Sequence, residues 1–177
     1  TAERVTFAVG ADLDRLAWAV DLARKAAADA GRDPASISFG AYVNVGCHPD
    51  LDTARALIAG GVAAFAHFSA MPGSTGAGLA EADRAVVAEV GRRHDSTRHL
   101  DNRADHTDPL DPIFVDRFAV VGPPERCAER LTGLAALGIE RFVVTGSTFR
   151  ADRDAARLAE RLLTTEVVPA VHQGAHP

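Results

Sequence analysis

"DRFAVVGPPERCAERLTGLAALGIERFVVTG", residues 116–146, sets two short apolar runs on either side of a helical period. Phe118 to Val121 is too compact for a helix and rich in β-branched residues, which predicts a strand. Gly122 ends it. Pro123 and Pro124 follow with fixed φ, at positions where the N–H groups of a starting helix lack partners anyway. Glu125 falls in the first turn, where a carboxylate is favoured by the helix dipole, and Cys127, Leu131, Leu134 and Ala135 recur on one face. Gly138 stops the helix by taking a left-handed conformation. Ile139 to Val144 then reads as a buried parallel strand, closed by the loop Thr145-Gly146-Ser147-Thr148. The unit is extended segment, helix, strand.

The rest of the chain repeats that alternation. Val5 to Val9 is a short apolar run that Gly10-Ala11-Asp12 turns into a helix, with Asp12 as N-cap and Leu13, Leu16, Ala17, Val20 and Ala27 on one stripe. Gly31 closes the helix and Asp33-Pro34 marks a loop. Ile37 to Cys47, "ISFGAYVNVGC", is the next strand. A helix from Leu51 to Phe68 follows, with a bend or boundary expected at Gly60-Gly61, each glycine costing about 1 kcal/mol relative to alanine. Met71 to Gly78 is a connector of turn residues. The helix Leu79 to Val90 turns Ala82, Val86, Val87 and Val90 inward and its acids and arginines outward. Gly91 to Pro112 has almost no apolar residues and reads as a long polar loop, of the kind that serves as a lid or binding loop. Asp152 to Leu163 is a last helix with Ala155, Leu158 and Leu162 inward, and the tail beyond Pro169 is expected to be mobile. This pattern is α/β with a parallel sheet. By itself it fits both part of a barrel and a small doubly wound sheet.

The 177 residues are expected to form a single domain, 1–177, with the polar loop at 91–112. Hydrophobic content of 47% and mean hydropathy of −0.01 are those of a soluble globular protein, and no apolar run reaches the roughly 20 residues of a membrane span. No membrane partner and a cytoplasmic location are the expectation. A formal charge of −5, with Lys25 the single lysine, gives no basic stripe for a nucleic acid. Cys47 and Cys127 lie in apolar segments far apart in sequence and read as buried free thiols, with no disulfide indicated. The chain starts without methionine or signal peptide and reaches a strand at Val5, which suggests a piece of something longer.

Two strings carry a family resemblance. "FAVVGPPERCAERL" (118–131) followed by "LGIERFVV" (137–144) resembles the last helix and strand of the luciferase-like monooxygenases, with weaker support at Val5 to Leu16 and Ile37 to Pro49. These are (β/α)8 barrels that bind FMN or the deazaflavin coenzyme F420. A whole barrel takes about 250 residues. The resemblance therefore implies the C-terminal part of a TIM barrel, with parallel strands alternating with helices. It implies an oxidoreductase moving hydride between F420, or alternatively FMN, and a small organic substrate. Partners would be a second copy or the missing half of the barrel. The family's acid and base residues lie mainly in the first half, so no catalytic residue is assigned.

Ligands of such sheets bind at the C-terminal strand ends. The resemblance implies that Ala8, Val9, Gly10 and Ala11 wrap the cofactor phosphate, as a glycine turn at a helix N-terminus can. An ordinary strand–helix turn is the plainer reading, and some relatives place a basic residue where Ala11 stands. Arg117 is implied at the same phosphate, which a guanidinium grips with two donors; a solvated surface arginine is its alternative. In the polar loop, His94, Asp95, Arg98, His99, His106 and Asp108 invite a metal reading, but their spacing matches no compact ligand motif. The loop reads instead as a cover over the cofactor mouth, with Arg98 helping to hold an anionic group. Cys47 and His48 point to opposite faces of a strand, so Cys47 reads as core and His48 as the start of the next helix or the mouth. "GSTGAG" from Gly73 lacks a preceding strand and a lysine, and no phosphate loop, dinucleotide fingerprint or nucleophile elbow is present. The rival function is a non-catalytic α/β module that binds an anion or a partner chain, since half a barrel exposes two sheet edges.

Overall fold

Among the described residues Ser38–Cys47 forms the longest strand, and each of the other strands pairs with it. The structure, a computed structural model, describes residues 2–71 and 78–174; the connector expected at Met71 to Gly78 and the "GSTGAG" string lie almost wholly outside them. In order, the elements are β1 (Arg4–Phe7), α1 (Leu13–Asp29), β2 (Ser38–Cys47), α2 (Leu51–Ala70), α3 (Glu81–Arg93), α4 (Pro112–Phe118), β3 (Val120–Gly122), α5 (Pro124–Ala135), β4 (Ile139–Thr145), α6 (Arg153–Leu162) and α7 (Val168–Gly174). All pairings are parallel: β1 along Ser38 to Ala41, β4 along Phe39 to Asn44, and β3 along Val45 to Cys47. In a sequentially wound barrel β4 would pair with β3. Here β3 is three residues long and β4 runs beside β2 instead.

Strand alternation gives β2 two different faces. Phe39, Ala41, Val43, Val45 and Cys47 join Leu16 and Val20 of α1 and Cys127, Leu131 and Leu134 of α5 in one core. On the other face lies α2, whose middle stretch from Leu57 to Ala66 is apolar. A Cβ at Gly46 would collide with the Ala54 carbonyl oxygen, and one at Gly61 with the Asn44 side chain, so the helix backbone rests directly on the strand. The far side of α2 builds a second core, with Leu57, Ile58, Val62 and Phe65 against Val87 and Val90 of α3, Phe114 and Phe118 of α4, and Ala159 of α6. Arg55 on α2 grips Asp116 on α4 with two donors, Nε to Oδ1 at 2.8 Å and Nη2 to Oδ2 at 2.9 Å, which holds the Asp116 carboxyl below the usual carboxylate range. Asp12, Asp50, Asp111 and Asp152 cap their helices by accepting from first-turn N–H groups.

Five expectations are corrected. α2 runs unbroken through Gly60 and Gly61, because these glycines admit close neighbours: Asn44 at Gly61 and the Leu100 backbone at Gly60. Phe118 closes the helix α4, capped by Asp111 with Pro112 in its first turn, and the strand begins only at Val120. The 91–112 segment is built rather than open: α3 extends to Arg93, short turns form at Ser96–Arg98 and Asp105–Thr107, and Asn102 bonds to Leu57 and Gly60 of α2. β4 is not buried. Val143 is 44% and Val144 37% exposed, because no strand among the described residues covers its free edge. Beyond Leu162 the chain continues as a π-helical turn, Leu163–Val167, and α7, held by Val167 and Val171 against the α5 side of the sheet.

The contact of β2 with α2 sets a measurable cost. Gly46→Ala is expected to lower unfolding stability by about 1–3 kcal/mol through overpacking against backbone. Gly146→Ala, which meets nothing within 4 Å, should stay within about 0.5 kcal/mol of the parent. Urea titrations of the two variants check both.

Candidate functional site

The turn after β1 and the segment entering β3 are far apart in sequence and meet in space. Gly10 has φ of +88°, and a Cβ there would lie 2.9 Å from the Phe118 ring. Ala11 is fully buried, and its N–H donates to the Phe118 carbonyl at 2.8 Å. Arg130, on α5, donates from Nη2 to the carbonyls of Ala11 at 3.0 Å and Arg117 at 3.1 Å. The four strands of this sheet are parallel and all end at this side, where the loops of parallel sheets hold ligands. Of the expected site residues, Ala8, Val9, Gly10, Ala11 and Arg117 are thus brought to one place.

Their donors are partly engaged already. The Ala11 N–H serves the Phe118 carbonyl, and the Asp12 carboxylate occupies the first-turn N–H of Arg15 at 2.8 Å. Arg117 Nη2 lies 3.1 Å from Asp83 Oδ1. Asp83 is buried, which pushes its carboxyl up, with the Arg117 guanidinium opposing. Arg15, also buried, donates from Nη2 to Ser69 Oγ at 3.0 Å, while its Nε and Nη1 find no hydrogen-bond partner among the described residues. Burial lowers its pKa, opposed by Asp12 and Asp83. This end of the fold therefore gathers the guanidinium groups of Arg15, Arg117 and Arg130 with the carboxylates of Asp12 and Asp83. Asp83 and Arg130 escaped the sequence reading. Asp83 carried a usable signal: it stands three, four and seven residues before Val86, Val87 and Val90, on the buried stripe, while Ala82, expected inward, is exposed.

Arg98 sits elsewhere. Its guanidinium meets Asp101 at 3.2 Å, Asp105 at 3.4 Å and the Arg103 carbonyl, all within its own loop, and no hydrogen bond or ion pair among the described residues joins it to the Gly10 turn. The loop gathers histidines instead. His67 of α2 and His94 stack with ring centroids 3.7 Å apart and 7° between planes, and His99 and His106 lie against His94 at 5.6 and 5.1 Å. His106 is buried and accepts at Nδ1 from the Asp95 N–H at 3.4 Å. No group of three or more His, Cys, Asp or Glu side chains among the described residues is arranged to hold a metal ion. Cys47 is buried, and His48 accepts from the Asp50 N–H at the start of α2.

The fold is a parallel α/β sheet with a glycine turn and arginines at its C-terminal end. The model for luciferase-like monooxygenases matches residues 2–141, and the chain belongs to that family. Among solved structures it is similar to the coenzyme F420 dependent tetrahydromethanopterin reductase from Methanopyrus kandleri, at 20% identity and a TM-score of 0.60. The match covers 96% of this chain and 45% of the reductase chain, so it is a likeness of fold to less than half of that protein. No curated protein matches the sequence. No helix among the described residues is long and apolar enough to cross a membrane.

The histidine stack has a pH signature. Burial is the largest cause lowering the pKa of His67, His94 and His106; neighbouring histidines add to it at His67 and His94, and Arg98 adds to it at His106. A folded pKa below the unfolded value favours the neutral ring in the fold. Its contribution is present in full above the unfolded value, about 6.5, and is lost as pH falls from there through the folded pKa. Stability measured by urea titration is expected to fall between pH 7 and pH 5, roughly the range of histidine titration. His94→Phe, which keeps a ring in the stack and removes its charge, should flatten that slope.

Proposed function

We propose that the chain is the cofactor-binding part of an oxidoreductase that moves hydride between coenzyme F420, with FMN as the alternative, and a small organic substrate. The observation that carries the reading is the joining of the Gly10 turn to the Arg117 segment through the Ala11–Phe118 hydrogen bond and Arg130. Family membership supports the reaction type, and the F420 dependence named for the similar reductase supports the choice of cofactor. Bound, the cofactor supplies the hydride chemistry, and the protein supplies position, charge and exclusion of water.

At that site Arg117 exchanges Asp83 for a phosphate oxygen. Asp83 is then left to Arg15 and to protonation, toward which burial already pushes it. Gly10 gives the turn a surface without a Cβ, and its positive φ keeps the backbone in the conformation that α1 requires. The remainder of the barrel, carried by the same or another polypeptide, brings the acid and base groups, so the 177-residue chain alone is expected to show no turnover.

A second reading rests on a separate observation. Tyr42, Val143 and Val144 are exposed, and a cleft of about 840 Å³ between β4, α5 and α7 is lined by Leu131, Phe142, Val168 and Val171. An interaction module would use this surface to bind a second copy or the rest of a barrel. Fluorescence titration of the chain with F420 and then FMN separates the readings. The oxidoreductase reading expects F420 binding weakened at least about tenfold by Arg117→Ala, the loss of a charge-assisted contact. Arg98→Ala should leave the affinity nearly unchanged. A folded chain that binds neither cofactor and sediments as a dimer would overturn the first reading in favour of the second.

A further inference from the structure

A carboxylate already occupies the guanidinium that a cofactor phosphate at the Gly10 turn needs. Asp83 stands on the buried face of α3 with its side chain 5% exposed, and its Oδ1 lies 3.1 Å from Nη2 of Arg117, whose side chain is 34% exposed. The pairing is unequal. Arg117 can swing toward solvent and keep its charge hydrated, whereas Asp83 cannot follow, because Val87 and Val90 anchor α3 in the core around α2. Around Asp83, α4 contributes Arg117 and, at its N-cap, Asp111; the start of α1 contributes Asp12 and Arg15; and the end of α2 contributes the neutral hydroxyl of Ser69, which Arg15 engages. On its own helix Glu81 and Arg84 pair with each other at 2.9 Å on the exposed surface. Among the described residues only Arg117 lies within ion-pair distance of Asp83.

We propose that Asp83 is a built-in competitor that tunes the anion affinity of the Gly10 turn: an anion gains Arg117 only as Asp83 gives it up and takes a proton from solvent in its place. The inference rests on the reading of that turn as an anion site and adds its regulation. Charge and burial require the exchange. With Arg117 drawn to an anion, Asp83 stays buried beside Asp12 and Asp111, and its counter-charge is reduced to Arg15, whose Nη2 is engaged by Ser69. A carboxylate so placed is neutralised more readily than it is kept charged. Burial and the two neighbouring carboxylates push the Asp83 carboxyl up even in the empty chain, with Arg117 the larger of the two opposing charges, and loss of Arg117 pushes it further in the same direction. Between the empty-state and the anion-bound pKa, the bound chain therefore holds one more proton than the empty one. Affinity is lowest above that interval, rises by at most about tenfold per pH unit as pH falls through it, and levels off below it, where Asp83 is already neutral in the empty chain.

The experiment uses the full chain, with sulfate and coenzyme F420 as separate probes; sulfate keeps its charge throughout. Binding is followed by calorimetry between about pH 8 and pH 6, a range that buried carboxylates reach. Two buffers of different ionisation enthalpy count the protons taken up. The parent should bind sulfate more tightly at the lower pH, with uptake of up to one proton per ion. Asp83→Asn, which keeps the shape of the side chain, should bind about tenfold more tightly than the parent at the higher pH, approach it at the lower pH, and lose the proton uptake. A merely structural role for Asp83 would leave the pH profile of binding in place. Arg117→Ala should abolish the sulfate response. Equal sulfate affinity of the parent at both pH values, without proton uptake, overturns the proposal, and that arm needs no variant to fold. A folded Asp83→Asn chain that binds neither probe overturns it as well. F420 bound equally by parent and Asp83→Asn sinks the competition and leaves the cofactor reading standing; sulfate bound as expected with F420 refused does the reverse.

Discussion

The direct seating of α2 on β2 is the contact from which the other arrangements follow. Gly46 of β2 admits the Ala54 backbone of α2, and Gly61 of α2 admits the Asn44 side chain of β2, so each element leaves out a side chain at the contact. With α2 fixed, the even face of the C-terminal half of β2 is closed and its odd face is free for α1 and α5. The middle of α2, from Leu57 to Ala66, is then largely buried, and that stretch of its sequence carries no charged residue. Dispersion and burial on both sides of one strand make β2 the element whose register all the others inherit.

The same seating explains the polar segment after α3. Gly60, one residue from the β2 contact, lets the Leu100 backbone come up against α2, and Asn102 then bonds to Leu57 and Gly60 while Thr148 bonds to Asn102 at 2.6 Å. A segment with few apolar residues is thus held by backbone and amide hydrogen bonds to a buried helix. The histidines stack there because α2 presents His67 next to the end of α3. The segment expected to cover a ligand is tied to the scaffold at Asn102. Its charged residues face one another, Arg98 with Asp101 and Asp105, and Arg150 with Asp101.

Local signals were legible wherever the chain decides its own conformation. The Asp12 cap, the prolines opening α5 and the glycine after it all act within a few residues, and the structure has each of them in that role. The glycine turn and Arg117 were legible as neighbours only through the family resemblance, since nothing in their spacing joins them. What stayed hidden depends on distant partners. An apolar run such as Ile139 to Val144 says nothing about whether a further strand covers it, and Val143 and Val144 stand exposed because none does. Glycines in mid-helix read as weakness until their neighbours are known. A carboxylate on an apolar stripe, Asp83, reads as an outward residue until an arginine from another helix is found beside it.

That carboxylate shapes what the Gly10 end can do. Burying a charge without a partner costs several kcal/mol or more, so the buried Asp83 depends on its ion pair with Arg117, to which the nearby Arg15 adds a lesser favourable charge. Arg117, about a third exposed, is the one member of the group that can turn toward solvent without losing its hydration. An anion arriving at the turn therefore competes with Asp83 for a single mobile guanidinium, and its affinity is a difference between two pairings and not the strength of one. Arg130 takes no part in that exchange, because both of its contacts are to carbonyls that hold the turn and the β3 approach together. The geometry of the turn is thus set by one arginine and its charge balance by another, and whatever lowers the charge on Asp83 favours the anion.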